Sequence, residues 1–315
     1  MNNLYSQMFK QWFLTTEMTM GALMLVSNKM AKAWDEALHQ QVNVANSLLF
    51  GSLRDLNESL QAVNPELQGQ RRVALVTGGI GGIGSAICGR FLREGYRVVA
   101  TYIAAERDKA IQWRKDYQSA GYEIEIVECD VTDYDACAKV VETIVEDYAT
   151  IDVLVNGAGI TRDGTLRKME QNDWRAVLTT NLDSVFNMTR NVIDHMIDNG
   201  YGRVISISSV NGLKGQFGQT NYATAKAGMI GFSKSLAREV AEYGITVNTL
   251  SPGYVATPMV MAVPEEIREH IVGKIPMGRL AEPQEIAQVV AFLADEKTTY
   301  ITGTDISVNG GLLMV

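Results

Sequence analysis

The sequence is poor in cysteine, histidine and proline, with three, three and six of them among 315 residues. Cys88, Cys129 and Cys137 have neither the spacing of metal ligands nor that of a redox pair, so we interpret them as small buried side chains. Two of the histidines, His195 and His270, lie in polar, helical stretches and are interpreted as surface residues. These shortages exclude a disulfide framework, and we expect no metal site.

Long apolar runs and basic clusters are missing as well. No stretch reaches the ~18 apolar residues of a membrane span, and the richest one, residues 18–26, is interrupted by Thr19 and Gly21. The first residues lack the positive charge of a secretory leader, which together with the odd cysteine count favours a cytoplasmic location. The net charge of -8, without clustered Lys or Arg, argues against a nucleic-acid partner.

The chain divides into two unequal parts. Residues 1–68 contain two glycines and one proline, and from Trp34 their apolar positions step by four, four and three. This spacing predicts one helix with an apolar stripe made of Trp34, Leu38, Val42, Ala45, Leu49, Leu53, Leu56 and Leu60. With a second helix over 5–26, we expect a helical hairpin. It is either an oligomerisation element or an adhesive surface for a lipid-like or polymeric partner.

Residues 71–315 alternate between short apolar stretches and helical patterns. The predicted strands are 73–77, 97–101, 124–129, 153–156, 203–208, 246–250 and 305–308. Such alternation predicts an α/β fold, a doubly wound Rossmann-type parallel sheet with helices on both faces. Ligands of these sheets bind at the carboxyl ends of the strands, near the point where the strand order reverses.

A glycine-rich turn joins the first predicted strand to the first helix. Glycines there allow a tight turn and a close approach to a pyrophosphate, whose charge lies at the helix N-terminus. The spacing is T-G-x-x-x-G-x-G rather than the more common G-x-G-x-x-G, and its position between strand and helix predicts a dinucleotide site. The expected contacts are Gly78, Ile80, Gly82, Ile83 and Gly84.

The second predicted strand ends without an acidic residue. An Asp or Glu at that place would bind the 2'-hydroxyl of NAD and repel a 2'-phosphate, so its absence favours NADPH. Tyr102 and Arg107 are the expected neighbours of the phosphate. Glu106, beside Arg107, counts against a positive site.

Tyr222 and Lys226 lie one helical turn apart, and Ser209 precedes the tyrosine by thirteen residues. A nearby ammonium lowers the pKa of a tyrosine from its usual value of about 10. A phenol tuned in this way can give its proton to a carbonyl oxygen, and the serine adds a second hydroxyl. Alone this spacing is weak evidence, and its weight comes from the rest of the chain.

In the order of its motifs, the chain from about residue 71 resembles the short-chain dehydrogenase/reductase family. The motifs are the glycine turn, Asp130-Val131, Asn156-Gly-Ala-Gly159, Asn181, Ser209, Tyr222-x-x-x-Lys226 and Ser251-Pro-Gly253 with Thr257. Two positions depart from the family pattern. Gly157 replaces an asparagine, which loosens the turn, and Gly81 stands where many NADPH-using members carry arginine.

The resemblance implies roles for the matched residues. Tyr222 would protonate the carbonyl oxygen, Lys226 would lower its pKa and hold the nicotinamide ribose, and Ser209 would hydrogen-bond the substrate carbonyl. Asn181 would position a water between Lys226 and solvent, with a plain helix N-cap as the alternative. The implied cofactor contacts are Asp130 and Val131 at the adenine, Asn156, Gly159, Pro252 and Gly253 along the cofactor, and Thr257 at the pyrophosphate or carboxamide. Asp130 has a helix cap as its alternative role.

Within the family, residues 159–163, 211–212, 215–222 and 309–312 are similar to bacterial acetoacetyl-CoA reductases. This implies NADPH-dependent reduction of acetoacetyl-CoA to (R)-3-hydroxybutyryl-CoA for polyhydroxybutyrate synthesis. Gln216 and Gln219 would hydrogen-bond the thioester carbonyl, Phe217 would close the pocket, and Tyr254 would cover the other side. A plain surface loop is the alternative for Gln216 and Phe217.

Two other functions stay open. The related 3-oxoacyl-(acyl-carrier-protein) reductases of fatty-acid synthesis share residues 159–163 but usually differ between Ser209 and Tyr222. A granule-associated scaffold protein with a vestigial reductase domain is the alternative from another class, with residues 1–68 as a tether to polyhydroxybutyrate granules or to a partner. The resemblance also implies a homotetramer formed through the helices after the fourth and fifth strands.

Overall fold

A computed structural model of the protein describes residues 71–314 and confirms the predicted doubly wound α/β fold. The expected helical extension and tether, residues 1–68, lie outside the described residues. The strands are β1 (Val73–Thr77), β2 (Arg97–Tyr102), β3 (Glu125–Glu128), β4 (Val153–Asn156), β5 (Gly202–Ile207), β6 (Ile245–Pro252) and β7 (Asp305–Val308). The predicted strands agree with these within two residues at each end.

Helices connect every pair of consecutive strands. They are α1 (Gly82–Arg93), α2 (Arg107–Ser119), α3 (Tyr134–Tyr148), α4 (Gln171–Leu178), α5 (Ser184–Asn199), α6 (Val210–Lys214), α7 (Thr220–Val240), α8 (Pro258–Met261), α9 (Glu265–Val272) and α10 (Pro283–Ala294). A π-helical segment, Thr179–Asp183, joins α4 to α5. Among the helices described between residues 71 and 314, none is both long and apolar enough to cross a membrane.

The sheet has the strand order β3-β2-β1-β4-β5-β6-β7, and all its strands are parallel. The order reverses between β1 and β4, because the chain leaves β1 towards β2 on one side and returns to β4 on the other. The carboxyl ends of these two central strands therefore form the edge where a doubly wound sheet binds its ligand.

Each face of the sheet is covered by its own apolar core. Side chains alternate across a strand, so β1 serves both cores. Val73 and Leu75 pack into the core beneath α3, α5 and α7, whereas Ala74 and Val76 pack into the core beneath α1 and α10. With both faces covered, β1 is buried along its whole length, and its carboxyl end is rigidly placed.

The sparse cysteines and histidines behave as expected. All three cysteines are free and buried, which confirms their interpretation as small core residues. His270 is exposed and His195 is partly exposed on α5.

Candidate active site

The ends of β1 and β4 are joined by a single threonine side chain. The hydroxyl of Thr77 accepts hydrogen bonds from the backbone N–H groups of Gly157 (3.0 Å) and Ala158 (3.2 Å). Thr77 itself is 2% exposed. The loop after β4 is thus held against the glycine turn. Sequence reasoning placed Thr77 in the motif but assigned it no role.

The glycine turn has backbone approaches that leave no room for side chains. Gly78 has a φ of 64°, and a Cβ on Gly84 would lie 2.2 Å from the carbonyl oxygen of Gly78. A Cβ on Gly82 would lie 2.8 Å from Cγ2 of Thr257. The N-cap of α1, Gly81, has no side chain to occupy the free N–H groups of the first turn. These N–H groups, with Thr257 beside them, fit a pyrophosphate.

Ile80 and Ile83 are expected cofactor contacts in this turn, and their side chains are buried or packed against the core. Ile80 is buried with 5% exposure, and Ile83 packs against the core beneath α1 and α10. Ile80 can therefore offer a cofactor its backbone but not its side chain, whereas Ile83 is partly exposed and stays a predicted contact. The apolar side chains instead fix the turn to the sheet.

The first residue of α2 is an arginine that is paired with a carboxylate. Nη2 of Arg107 lies 2.6 Å from Oε2 of Glu128, at the end of β3, and the two side chains are largely exposed. Glu106, which counted against a positive site, bonds Lys109 at 2.8 Å instead. Tyr102 is partly buried beside this pair. A 2'-phosphate bound here would compete with Glu128 for the guanidinium of Arg107.

Asp130 and Val131 follow β3 and were both expected at the adenine, but their surroundings in the structure differ. The carboxylate of Asp130 accepts from N (3.0 Å) and Oγ1 (2.7 Å) of Thr132 and is exposed. It does not cap α3, because Asp133 accepts from the N–H of Ala136 at 3.0 Å. Val131 is buried, and its carbonyl accepts from Asn187. Asp130 is therefore free of the cap role and stays a predicted adenine contact.

Asn156 has a structural use for its side chain. Its Nδ2 donates to Oγ1 of Thr189 on α5 (3.1 Å) and lies 3.4 Å from Oγ of Ser206 on β5. The residue is 3% exposed. The amide of Asn156 is thus used within the core, and its expected place along the cofactor stays a prediction that concerns its backbone.

The π-helical segment carries Asn181 into the centre of the site, in agreement with the frequent occurrence of π-bulges at functional sites. Its Oδ1 accepts from the N–H of Ile160 (2.8 Å), and its Nδ2 donates to the carbonyl of the same residue (2.9 Å). A Cβ on Gly159 would lie 3.2 Å from this Oδ1 and 3.6 Å from Nζ of Lys226. Asn181 is therefore not a simple N-cap, since its amide clamps the loop after β4.

Lys226 is buried with 4% exposure, and its Nζ donates to the carbonyl of Ile207 at 2.7 Å. Burial lowers the pKa of Lys226 from 10.5 to about 8. The same Nζ lies 5.6 Å from the ring centroid of Tyr222, over the ring. The spacing of one helical turn therefore does bring the two side chains together.

The pKa of Tyr222 departs from the expected direction. Burial raises the pKa of the phenol, and its hydrogen bond with Ser209, not the ammonium of Lys226, is the group that lowers it. The reason is geometric, because Nζ is directed at the carbonyl of Ile207 and lies over the ring. In this protein the phenol is kept protonated at neutral pH.

Ser209 stands at the N-cap of α6, where its Oγ accepts from the N–H of Asn211 at 3.2 Å. The preceding Ser208 donates to the carbonyl of Lys226 at 2.8 Å, which anchors α7 to the end of β5. The N–H of Tyr222 donates to Oδ1 of Asn221. Sequence reasoning missed Ser208 and Asn221, since neither serine nor asparagine at these places carries a distinguishing pattern.

The expected substrate residues are only partly brought to the site. Gln219 reaches across to Asp163, with Nε2 donating to Oδ2 at 2.8 Å. Gln216 instead accepts from Nζ of Lys214 (2.9 Å), and Phe217 is 87% exposed. Phe217 therefore closes no pocket in this conformation, which matches the surface-loop alternative.

Tyr254 follows the end of β6 and lines a cavity of about 310 Å³ together with Ile275, Met277 and Val308. Burial raises the pKa of its phenol. Before it, the N–H of Gly253 donates to the carbonyl of Val308 at 2.9 Å, which continues the pairing of β6 with β7 past Pro252. This pairing fixes the direction in which the chain leaves the sheet towards Thr257.

The chain is similar to several known reductases. A family model described as Enoyl-(Acyl carrier protein) reductase matches residues 78–313. An acetoacetyl-CoA reductase of Allochromatium vinosum is 52% identical over 243 residues, which cover 77% of this chain and 99% of the relative. That of Cupriavidus necator is 49% identical, covering 78% and 99%. A 3-oxoacyl-(acyl-carrier-protein) reductase of Salmonella typhimurium is 45% identical, covering 78% and 98%.

The burial of Lys226 leads to a stability prediction. A fall in pKa from 10.5 to about 8 corresponds to a penalty of about 3 kcal/mol at pH 7, and the hydrogen bond to Ile207 returns about 1 kcal/mol. Lys226→Met should therefore abolish turnover and yet raise the free energy of unfolding by about 1–2 kcal/mol at pH 7. Thermal unfolding followed by circular dichroism measures the change.

The difference in unfolding free energy between Lys226→Met and the wild type should depend on pH. The folded chain holds the proton of Lys226 less tightly than the unfolded chain, so the penalty is complete below pH 8 and disappears as the pH rises through 10.5. The advantage of the variant should shrink over that window. Lys234→Met, an exposed position on the same helix, is the matched control. A variant less stable than wild type at pH 7 would contradict the prediction.

Proposed function

The chain belongs to the short-chain dehydrogenase/reductase family, and we propose that it reduces acetoacetyl-CoA to (R)-3-hydroxybutyryl-CoA with NADPH, as a step of polyhydroxybutyrate synthesis. Family membership makes it an oxidoreductase that uses a nicotinamide cofactor. The observation that carries the proposal is the convergence of Ser209, Tyr222 and Lys226 at the carboxyl end of β5. The names of the relatives support the choice of substrate.

The residues present fit a nicotinamide dinucleotide. The side-chain-free surface of Gly82 and Gly84 and the free N–H groups at the start of α1 would hold the pyrophosphate, with Thr257 against them. When bound, the reduced cofactor supplies the hydride. The protein must then orient the carbonyl and supply a proton.

Tyr222 is suited to the role of proton donor. Because burial raises its pKa, the phenol carries its proton at neutral pH and can release it to a carbonyl oxygen that gains negative charge. Ser209, hydrogen-bonded to the phenol, can donate to the same oxygen and fix its position. Lys226, with a pKa of about 8, is mostly protonated at pH 7 and is the proposed partner of the nicotinamide ribose. The hydrogen bond with Ser209 is what stabilises the phenolate that remains.

NADPH is favoured over NADH by the end of β2. β2 itself ends without an acidic residue, and Tyr102 and Arg107 are the proposed partners of a 2'-phosphate, which would replace Glu128 at the guanidinium. The Arg107 guanidinium is exposed and bonded to Glu128, so it can exchange that carboxylate for a phosphate without unfolding any element.

Arg107→Gln should lower kcat/KM for NADPH about tenfold and leave kcat/KM for NADH within a factor of about two, because a charge-assisted contact to the phosphate is lost. Steady-state rates at fixed acetoacetyl-CoA measure both values. Arg190→Gln, which breaks a similar exposed pair with Asp194, is the control. Equal losses with the two cofactors would remove Arg107 from the phosphate site.

The substrate is assigned to the region between Gln219 and Tyr254. Gln219 faces the loop after β4, and Tyr254 lines the cavity beside β7. A short 3-oxoacyl thioester would lie between them with its ketone at Ser209 and Tyr222. The alternative within the family is a 3-oxoacyl-(acyl-carrier-protein) substrate, which the relative from Salmonella typhimurium supports by its name.

Steady-state rates with acetoacetyl-CoA and with a four-carbon 3-oxoacyl carrier protein test the substrate. We expect a higher kcat/KM for the CoA thioester. Tyr222→Phe should reduce kcat for either substrate by at least about 10² and leave NADPH binding, followed by fluorescence, unchanged. A higher kcat/KM for the carrier protein would reverse the order of the two functions, and turnover surviving in Tyr222→Phe would refute the assignment of the acid.

A granule-associated role for residues 1–68 is the second candidate. The relatives align over 98–99% of their own length with only 76–78% of this chain, so the first part has no counterpart in them. We propose that this part is a separate unit that tethers the reductase to polyhydroxybutyrate granules or to a partner. A homotetramer formed through α5 and α7 would present several such tethers together.

Removal of residues 1–70 should leave acetoacetyl-CoA reduction within a factor of about two of the full chain and abolish co-sedimentation with isolated granules, because the tether lies outside the reductase unit. Enzyme activity in the pellet and the supernatant measures both effects. A truncated protein that still co-sediments completely would eliminate the tether.

A further inference from the structure

Three polar side chains form a hydrogen-bonded chain in front of Tyr222. Nε2 of Gln219 donates to Oδ2 of Asp163 at 2.8 Å, and Nδ2 of Asn211 donates to Oε1 of Gln219 at 2.9 Å. The three residues come from the loop after β4, the first turn of α6 and the N-cap of α7. This chain, which we call the amide chain, links the two segments that border the catalytic phenol.

The segment that carries Asp163 is held in place on both sides. The N–H of Gly164 donates to the carbonyl of Gly218 at 2.8 Å, and Nδ2 of Asn221 donates to the carbonyl of Arg162 at 2.9 Å. Asn221 directly precedes Tyr222. The carboxylate of Asp163 therefore keeps a fixed place relative to the catalytic tyrosine.

The chemistry of the carboxylate fixes the direction of the amide chain. An ionised carboxylate only accepts hydrogen bonds, so Gln219 must turn its NH₂ group towards Asp163 and its oxygen away. Asn211 must then turn its own NH₂ group to that oxygen. Its Oδ1, buried and without a hydrogen-bond partner among the described residues, is left as a free acceptor. The orphan oxygen is thus a consequence of the charge on Asp163.

The charge of Asp163 also faces the substrate region. After burial, it contributes to raising the pKa of both Tyr222 and Tyr254, the two phenols that border that region. Among residues 71–314, no Lys, Arg or His nitrogen lies within 4 Å of the Asp163 carboxylate. Its one side-chain hydrogen-bond partner there is Gln219.

We propose that Asp163 is a positioning residue of the reduction, which acts through Gln219 by fixing the direction of its carboxamide. With one N–H held by Asp163, the second N–H of Gln219 remains as a donor of defined direction for the thioester carbonyl. The inference rests on the proposed function, since it requires a 3-oxoacyl thioester in front of Tyr222. Without the carboxylate the carboxamide could invert and present its oxygen to that carbonyl, which would repel it.

Asp163→Asn tests the inference in a double-mutant cycle with Gln219→Ala. We expect Asp163→Asn alone to raise the KM for acetoacetyl-CoA about tenfold, with the KM for NADPH and the melting temperature unchanged. In the Gln219→Ala background the same substitution should change the KM by less than about twofold, because there is no carboxamide left to orient. Asp163→Glu, which keeps the charge, should restore part of the affinity.

Asp198→Asn, an exposed position at the end of α5, is the matched control for loss of one negative charge. An unchanged KM in Asp163→Asn, or an equal rise in both backgrounds, would overturn the inference. The comparison uses the ratio of the variant's KM to the wild-type KM, measured with whichever 3-oxoacyl thioester the wild type reduces. An incorrect substrate therefore appears as a low wild-type rate, whereas an incorrect role for Asp163 appears as an unchanged ratio.

Discussion

The contact between the ends of β1 and β4 is the constraint on which the rest of the site depends. The hydroxyl of Thr77 accepts from two consecutive N–H groups of the neighbouring loop, and a Cβ on Gly78 would lie 2.9 Å from Cα of Ala158. One of these two loops forms the dinucleotide turn, and the other leads to Gly159 beside Lys226. Their separation therefore sets the distance between the glycine turn and Lys226, and the close approach at the crossing leaves no room for a side chain on Gly78.

Burial shifts the pKa values of Tyr222 and Lys226, the two proposed catalytic groups, in opposite directions. It raises the pKa of Tyr222, so the phenol stays protonated. It lowers the pKa of Lys226 to about 8, so keeping the buried ammonium protonated costs free energy. The single carbonyl of Ile207 compensates only part of that cost. The site therefore gives up stability to hold a positive charge beside Tyr222, a relation common in active sites.

Much of this architecture could be predicted because it depends on local patterns. Continuous apolar stretches such as that of β1 predict buried parallel strands, and the glycine spacing after it predicts the turn. The pairing of Tyr222 with Lys226 follows from helical periodicity. Side-chain contacts between distant segments were harder to predict, since Asn156 turned out to bond Thr189 on α5 and Ser206 on β5. Neither partner can be recognised from spacing.

By itself the sequence determined the succession of strands and helices along the chain and the glycine turn, and it predicted the catalytic groups, because each depends on residues close together in the chain. Tertiary structure alone decided how these groups are tuned. The direction of the Lys226 ammonium, the raised pKa of Tyr222 and the link from Asp163 to Gln219 all arise from contacts between distant segments. Burial and hydrogen-bond direction are properties of the packed molecule, and no local pattern encodes them.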